Sequence, residues 1–284
     1  MENITISIVT CTYNSELFLE KALKSIESQS YLKIEHVIND SFSTDSTLQI
    51  INAYIERNKD RYPIKFFQSE PKGVGNALNV GTQMATGDVI HYLHSDDYYL
   101  DNKALERVAA YFQDNPKNNW VTGNFLIEFA GRTIVIPQTL LLRADPELAL
   151  SAMNFISHEN TFMKREFVNQ YGGFNEGKNE VVEYSLWLRL IRDEQPLVVD
   201  DEFTVFIIHK GSTSTGSPLK FLKAVMRAFR TQEKEKVIPL LGYYPENKVY
   251  IWGKEALAKT RKWIEQSKKQ LSKTFKLITD NWWS

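Results

Sequence analysis

Short β-branched runs alternate with stretches whose apolar residues recur every three to four positions, and the alternation persists over the first hundred residues. Ile4–Val9 reads as a buried strand. Leu17, Leu19, Ala22, Leu23 and Ile26 then follow a helical period, with Asn14 or Ser15 placed to cap it. Glu35–Asn39 predicts a second strand ending at Asp40, and residues 41–47 lead into a helix through Leu48, Ile51 and Ile55. Ile64–Gln68 predicts a third strand, residues 73–88 a loop and helix stopping at Gly87, and Val89–Leu93 a fourth strand. Strands and helices alternating at this spacing predict an α/β fold, a mostly parallel central sheet flanked by helices.

The middle of the chain is less regular. Trp120–Glu128 and Thr133–Ile136 read as a hairpin around Gly131. Ser157–Phe162 runs into a helix, a turn at Gly172 and Gly173 follows, and the next helix carries Glu183, Trp187 and Arg189. Val198–Ile208 reads as one strand, followed by the polar loop HKGSTSTGS. Helices resume near Leu219. From Trp252 on, Ala256, Trp263, Leu271, Phe275, Ile278 and Trp282 form an apolar stripe among lysines. The expected organisation is an α/β domain over residues 1–215 and a helical C-terminal extension over residues 216–284.

Charge sharpens that division. Residues 1–209 hold 18 Lys and Arg against 29 Asp and Glu, whereas residues 210–284 hold 16 against 6. The basic stretch, with Trp282 and Trp283 at its end, suits a membrane surface; it equally suits a helix packed on the domain or on a second subunit. Nucleic acid is not an expected partner, since the body is acidic and no basic reader motif occurs. Cys11 is the single cysteine, which precludes an intrachain disulfide and fits a reducing compartment. No apolar run of about 18 residues exists to cross a membrane, and the N-terminus enters a strand pattern without a leader pattern. Cytoplasmic location is the default expectation, with the inner face of the membrane as the place where a basic tail would act.

In parallel sheets, ligands bind at the carboxyl ends of the strands. Four polar clusters fall there: Thr10–Asn14, Asp40–Asp45, Glu70–Asn76 and His94–Asp97. The adjacent carboxylates Asp96 and Asp97 call for a neutralising cation, and oxygen ligands suit Mg²⁺ or Mn²⁺; either residue also has the chemistry to cap a helix beginning near Asn102. Asp40 has the chemistry of a turn residue. Gly73 and Gly75 do not make a dinucleotide fingerprint, because Leu78 replaces its third glycine and the match follows the third strand.

Taken in order, Thr10-Cys11-Thr12-Tyr13-Asn14, Asp40 with Ser43-Thr44-Asp45, the glycine-bearing helix, Ala85-Thr86-Gly87-Asp88 and His94-Ser95-Asp96-Asp97 resemble family 2 glycosyltransferases of the GT-A fold. The stretch 156–176 resembles that family's acceptor-side segment, and 182–190 its acidic-residue helix, so the resemblance covers about residues 4–215.

The resemblance implies an inverting, metal-dependent transfer of a hexosyl or N-acetylhexosaminyl group from a nucleoside diphosphate sugar to an acceptor hydroxyl. It further implies a glycan or lipid-linked glycan acceptor in bacterial surface polysaccharide or O-antigen synthesis. It makes Glu183 the general base and assigns donor binding to Thr10, Thr12, Tyr13, Asn14, Asp40, Asn76, Asn79, Ser95 and Asp96. Metal binding falls to Asp96, with His94, Asp97 and His209 as further candidates, and His158 and His209 become contacts to diphosphate or acceptor. The chain departs from the family pattern at His94, Asn76, Glu183 and Ser185; an imidazole ligand at His94 would favour Mn²⁺ over Mg²⁺. The alternative function is a non-catalytic subunit that binds a nucleotide sugar or glycan. Convergence of Asp96 and Glu183 on one cleft separates the two.

Overall fold

The strands at the centre of the sheet carry side chains into two cores at once. The computed structural model describes residues 4–129, 131–136, 139–144, 149–150, 154, 156–176 and 181–209, with Arg227 and Thr231. The other residues of the expected C-terminal extension lie outside the described residues, as does the loop after His209. Strands β1 (Ile6–Thr12), β2 (Ile34–Asp40), β3 (Ile64–Gln68) and β4 (Val89–Tyr92) pair in parallel in the order β4-β1-β2-β3. Successive side chains of a strand point to opposite faces. Ile6, Ile8, Ile34, Ile38 and Val89 accordingly join one core, while Val9, Val37, Ile90 and Tyr92 join the other. This two-sided burial is why these strands read as near-continuous apolar runs.

Helices cover both faces. On the first lie α1 (Leu19–Glu27), α2 (Thr47–Asn58) and α4 (Ala104–Asp114); on the second lies α3 (Val74–Met84). Helix α1 buries Leu19, Ala22, Leu23 and Ile26, the stripe its period predicts. Each buried Leu or Ile contributes roughly 1.5–3 kcal/mol. Its first turn is held by the Ser15 carbonyl, which accepts from the amides of Phe18 and Leu19 at 3.2 and 3.1 Å; no side chain caps it. Helix α3 lies so close to the sheet that a Cβ on Gly81 would sit 2.4 Å from Val9 Cγ1, and one on Gly75 would sit 2.1 Å from the Asn175 carbonyl. These glycines serve close packing.

The Ala85–Asp88 turn is fixed from the amino end of β2. Glu35, 3% exposed, accepts from Ser7 Oγ (2.5 Å), Thr86 Oγ1 (2.8 Å), the Gly87 amide (3.0 Å) and the Thr86 amide, and pairs with Lys65 at 2.8 Å.

The chain departs from the expected elements in its middle. Strand β5 (Tyr98–Tyr99) stands between Asp97 and α4, and the amide of Lys103 is held by Asp101 Oδ1 at 2.7 Å. Neither Asp96 nor Asp97 caps that helix. The expected strand 120–128 is two strands, β6 (Trp120–Thr122) and β7 (Phe125–Phe129), in different sheets. They part at Gly123, where a Cβ would lie 2.3 Å from the Asp201 carbonyl. β7 pairs with β8 (Arg132–Ile136) as the expected hairpin, with Gly131 at φ +72°; α5 (Thr139–Ala144) follows.

Residues 158–160 form a 3₁₀ turn and lead into β9 (Thr161–Lys164) before helix α6 (Arg165–Gln170). Next comes α7 (Val182–Leu190), buried through Tyr184, Leu186, Trp187, Leu188 and Leu190. The expected strand 198–208 splits into β10 (Leu197–Val198) and β11 (Thr204–Ile207). Asn160 Oδ1 pins that crossing by accepting from the amides of Phe203 and Thr204 at 2.9 and 3.0 Å. The main sheet runs β10-β6-β9-β4-β1-β2-β3 with β9 antiparallel to its neighbours, and a second sheet runs β5-β11-β7-β8. No helix among the described residues is long and apolar enough to cross a membrane.

Candidate active site

A cleft of about 1040 Å³ opens at the carboxyl ends of β1 and β4. Its mouth consists of two loops that hold each other. Asn14, at φ +50°, donates its amide to Ser43 Oγ at 2.9 Å and accepts from the Thr44 amide at 2.8 Å. The Ser15 amide donates to Thr47 Oγ1 at 2.7 Å, and the Ser46 amide to Glu16 Oε2 at 3.0 Å. The loop after β1 and the loop after β2 thus supply each other's missing backbone partners, and Ser15 Oγ reaches Ser95 Oγ at 2.9 Å to join them to the loop after β4.

Of the residues expected to bind donor, Thr12, Tyr13, Asn14, Ser95 and Asp96 line this cleft, with Tyr13 61% exposed. Thr10, Asp40, Asn76 and Asn79 are not part of its wall. Thr10 Oγ1 bonds His36 Nε2 at 3.0 Å. Asp40 is wholly buried and accepts from Thr12 Oγ1 (2.8 Å), Ser43 Oγ (2.5 Å), the Ser43 amide (2.9 Å) and Gln68 Nε2 (3.0 Å). Burial opposes its ionisation, but the bonds from Ser43, Gln68 and Thr12 prevail and hold its carboxyl below the usual range. Asn79 clasps Phe174 through both its amide and its carbonyl at 2.8 Å, and Asn76 and Asn79 both donate to Glu176. The cleft wall also includes Cys11, Ser15 and Ser41, none of which the motifs mark as a donor contact; burial pushes the Cys11 thiol up to about 12.

The five histidines divide by environment. His36 bonds Tyr54 Oη at 2.8 Å, and His91 bonds Tyr99 Oη at 2.7 Å and stacks on Phe162. Burial pushes both down to about 3, so they are neutral struts. His94, His158 and His209 line the cleft. His209 Nε2 lies 3.0 Å from Asp96 Oδ2, and its ring packs on Phe18 at 4.1 Å. His94 and His158 meet edge to face at 4.4 Å. Burial lowers His158, against the pull of Glu183 and Asp96. Burial and His158 push His94 down to about 4. Asp97 faces inward, fully buried, with Oδ1 accepting the Ile207 amide at 3.1 Å. Burial, then Glu159 and Asp96, raise its carboxyl.

Glu183 sits in the first turn of α7 and lines the cleft with Asp96. Its charge complements the positive end of that helix. The helix is set in place by Arg189, which donates to the carbonyls of Ser185 (3.1 Å), Gly173 (2.6 Å) and Tyr171. Ser185, where the family pattern often has an acid, is buried and accepts from Asn175 Nδ2 at 2.6 Å. A carboxylate there would meet a filled interior. Glu159, beside His158 on the 3₁₀ turn, also lines the cleft; the only sequence signal for it is its place in the His158-Glu159-Asn160 triplet. Leu17, Phe18, Phe125, Ile127, Phe206 and Ile208 give the cleft an apolar part of its lining.

Comparison with known proteins follows the same lines. The model of the family described as "Glycosyl transferase family 2" matches residues 7–172. The Escherichia coli protein named UDP-Glc:alpha-D-GlcNAc-diphosphoundecaprenol beta-1,3-glucosyltransferase WfaP is 27% identical over 246 residues, covering 84% of this chain and 92% of that one. The Staphylococcus aureus poly(ribitol-phosphate) beta-N-acetylglucosaminyltransferase TarS is 31% identical over 147 residues, 51% of this chain and 24% of that one. The chain spans less than half the length of the first curated relatives it matches. Among solved structures, the Pyrobaculum calidifontis mannosyltransferase PcManGT in complex with GDP-Man and Mn²⁺ superposes with a TM-score of 0.65 at 20% identity, covering 82% of this chain and 65% of that one. The α/β architecture with its mostly parallel sheet is thus the fold of GT-A glycosyltransferases.

Proposed function

Because the chain belongs to glycosyl transferase family 2, we propose that it transfers a sugar, with inversion, from a nucleoside diphosphate sugar to an acceptor hydroxyl. The observation that carries this reading is that Asp96 and Glu183 line one cleft. A protein that only bound nucleotide sugars would have no need of a second carboxylate in that cleft.

The roles follow from placement. Tyr13, Asn14 and Ser95 at the stapled mouth receive the nucleoside. Asp96, with His209 Nε2 at 3.0 Å, offers a carboxylate and an imidazole at the cleft wall, a donor set that fits Mn²⁺ better than Mg²⁺. Such a cation, when bound, neutralises the diphosphate and eases departure of the nucleotide. Glu183 accepts the proton of the acceptor hydroxyl as that oxygen attacks the anomeric carbon from the side opposite the diphosphate. The apolar wall formed by β7, β11 and Phe18 seats the acceptor.

Polyprenyl diphosphate-linked glycan is the acceptor class we favour. The E. coli relative is named for such an acceptor, and its length matches this chain nearly throughout. The setting is bacterial surface polysaccharide synthesis at the cytoplasmic face of the membrane.

The test is transfer from a panel of nucleotide sugars with Mn²⁺ to a synthetic polyprenyl diphosphate glycan, for wild type, Asp96→Ala and Glu183→Gln. One donor should turn over, and each variant, while folded, should lose about 10²–10⁴-fold in kcat. Turnover equal to wild type in folded Glu183→Gln refutes its role as base. Donor binding with no turnover on any glycan acceptor returns the protein to the binding-subunit reading.

A further inference from the structure

His94 and His158 pack edge to face on each other, and Glu159 stands beside His158. One ligating atom from each of the three lies within 4.8 Å of the other two. His158 Nε2 is 3.4 Å from Glu159 Oε1, yet it is buried and makes no hydrogen bond with any described residue. An unsatisfied buried polar atom is costly, so the spacing needs a reason. Two ligands on a tetrahedral ion, each bonded at about 2.0–2.1 Å, stand about 3.4 Å apart.

Surrounding bonds hold Glu159 and its turn in place. Ser157 Oγ donates to Glu159 Oε2 at 2.6 Å, which leaves Oε1 toward His158. The Glu159 carbonyl is held by Thr204 Oγ1 at 2.6 Å and His91 Nε2 at 2.9 Å, fixing the 3₁₀ turn that carries both residues. His94 approaches from the end of β4, and all three residues reach the cleft, so an ion held by them keeps an open side. Two imidazoles and one carboxylate suit borderline transition ions rather than Mg²⁺.

We propose that His94, His158 and Glu159 form a binding site for a borderline divalent cation of the Zn²⁺ or Co²⁺ type, separate from the Asp96–His209 pair and filled without nucleotide.

The experiment is titration of the nucleotide-free, full-length chain with Co²⁺, followed by its visible absorption and by displacement with Zn²⁺. One equivalent should develop the bands of a four- or five-coordinate ion. His158→Gln and Glu159→Gln should weaken binding about tenfold or more, while Asp96→Ala should weaken it less than either. Absence of these bands in wild type, or equal affinity in all variants, overturns the site. Loss of binding in Asp96→Ala with retention in His158→Gln places the ion on the Asp96–His209 pair, which overturns this proposal and leaves the transfer reading intact. Should His158→Gln fail to fold, the rise in Tm on adding Zn²⁺ decides: a rise in wild type that is absent from His94→Gln supports the site, and an equal rise in both overturns it.

Discussion

Asp40→Asn isolates the difference between a carboxylate that touches the nucleotide and one that builds the wall the nucleotide touches. The wild-type carboxylate is wholly buried and accepts four hydrogen bonds from Thr12, Ser43 and Gln68. Asparagine keeps the shape but replaces one acceptor oxygen with a donor. With the new amide group at the Oδ2 position, Gln68 can turn its own carbonyl toward it but the Ser43 amide is left unpaired; with it at the Oδ1 position, the Thr12 and Ser43 hydroxyls can turn to accept but give up their own donations. A buried unpaired donor costs about 1–3 kcal/mol, and the remaining bonds lose their charge assistance. A loss of about 2–4 kcal/mol follows, a fall in Tm of roughly 4–16 °C for a domain this size.

The acid dependence has a defined sign. The folded carboxyl lies below 3.8, so the charge contributes fully above that value and is lost as pH falls through the folded value. The gap between wild type and Asp40→Asn should therefore narrow in acid. Thermal unfolding at pH 7 and pH 3, with donor binding by calorimetry on the folded protein, checks both effects. A Tm within about 1 °C of wild type, with donor affinity reduced tenfold or more, would refute the structural role and make Asp40 a direct contact.

Two further outcomes follow from buried charge and backbone strain. Glu35 is held at about 2 where 4.5 is usual: burial opposes the charge, but bonds from Lys65, Ser7 and Thr86 outweigh it. Its contribution is present above pH 4.5 and lost as pH falls toward 2. Glu35→Gln should cost about 2–4 kcal/mol at pH 7 in denaturant unfolding and flatten that acid limb; an unchanged limb counts against the assignment. Phe42 holds φ +57° with its side chain about half exposed, a conformation costing a bulky residue about 1–2 kcal/mol. Phe42→Gly should raise stability by roughly 0.5–1 kcal/mol after the entropy glycine adds to the unfolded chain. A destabilised variant would show instead that the ring makes a contact worth more than the strain.

Local patterning along the chain is enough to specify the parallel core of the sheet and the end of it where chemistry collects. Ile6, Val9, Val37 and Ile90 announce buried strands because burial on both faces admits only apolar side chains, and that constraint is local. The polar residues that interrupt those runs mark strand ends, so the loops bearing Tyr13, Ser95 and Asp96 were legible as one rim. Tertiary structure decided what each polar group faces. Asp40, Asn76 and Asn79 carry the residue types of ligand contacts, but their hydrogen bonds go to Thr12, Ser43, Gln68, Phe174 and Glu176, partners up to about a hundred positions away. The breaks at Gly123 and near Asp201 that send β7 and β11 into a second sheet depend on those two segments passing each other at contact distance. The same holds for the histidines. Two became buried struts and three reached the cleft, with Glu159 beside them, because a side chain's partner is set by which strands meet in space, and periodicity along the chain reports only which face it occupies.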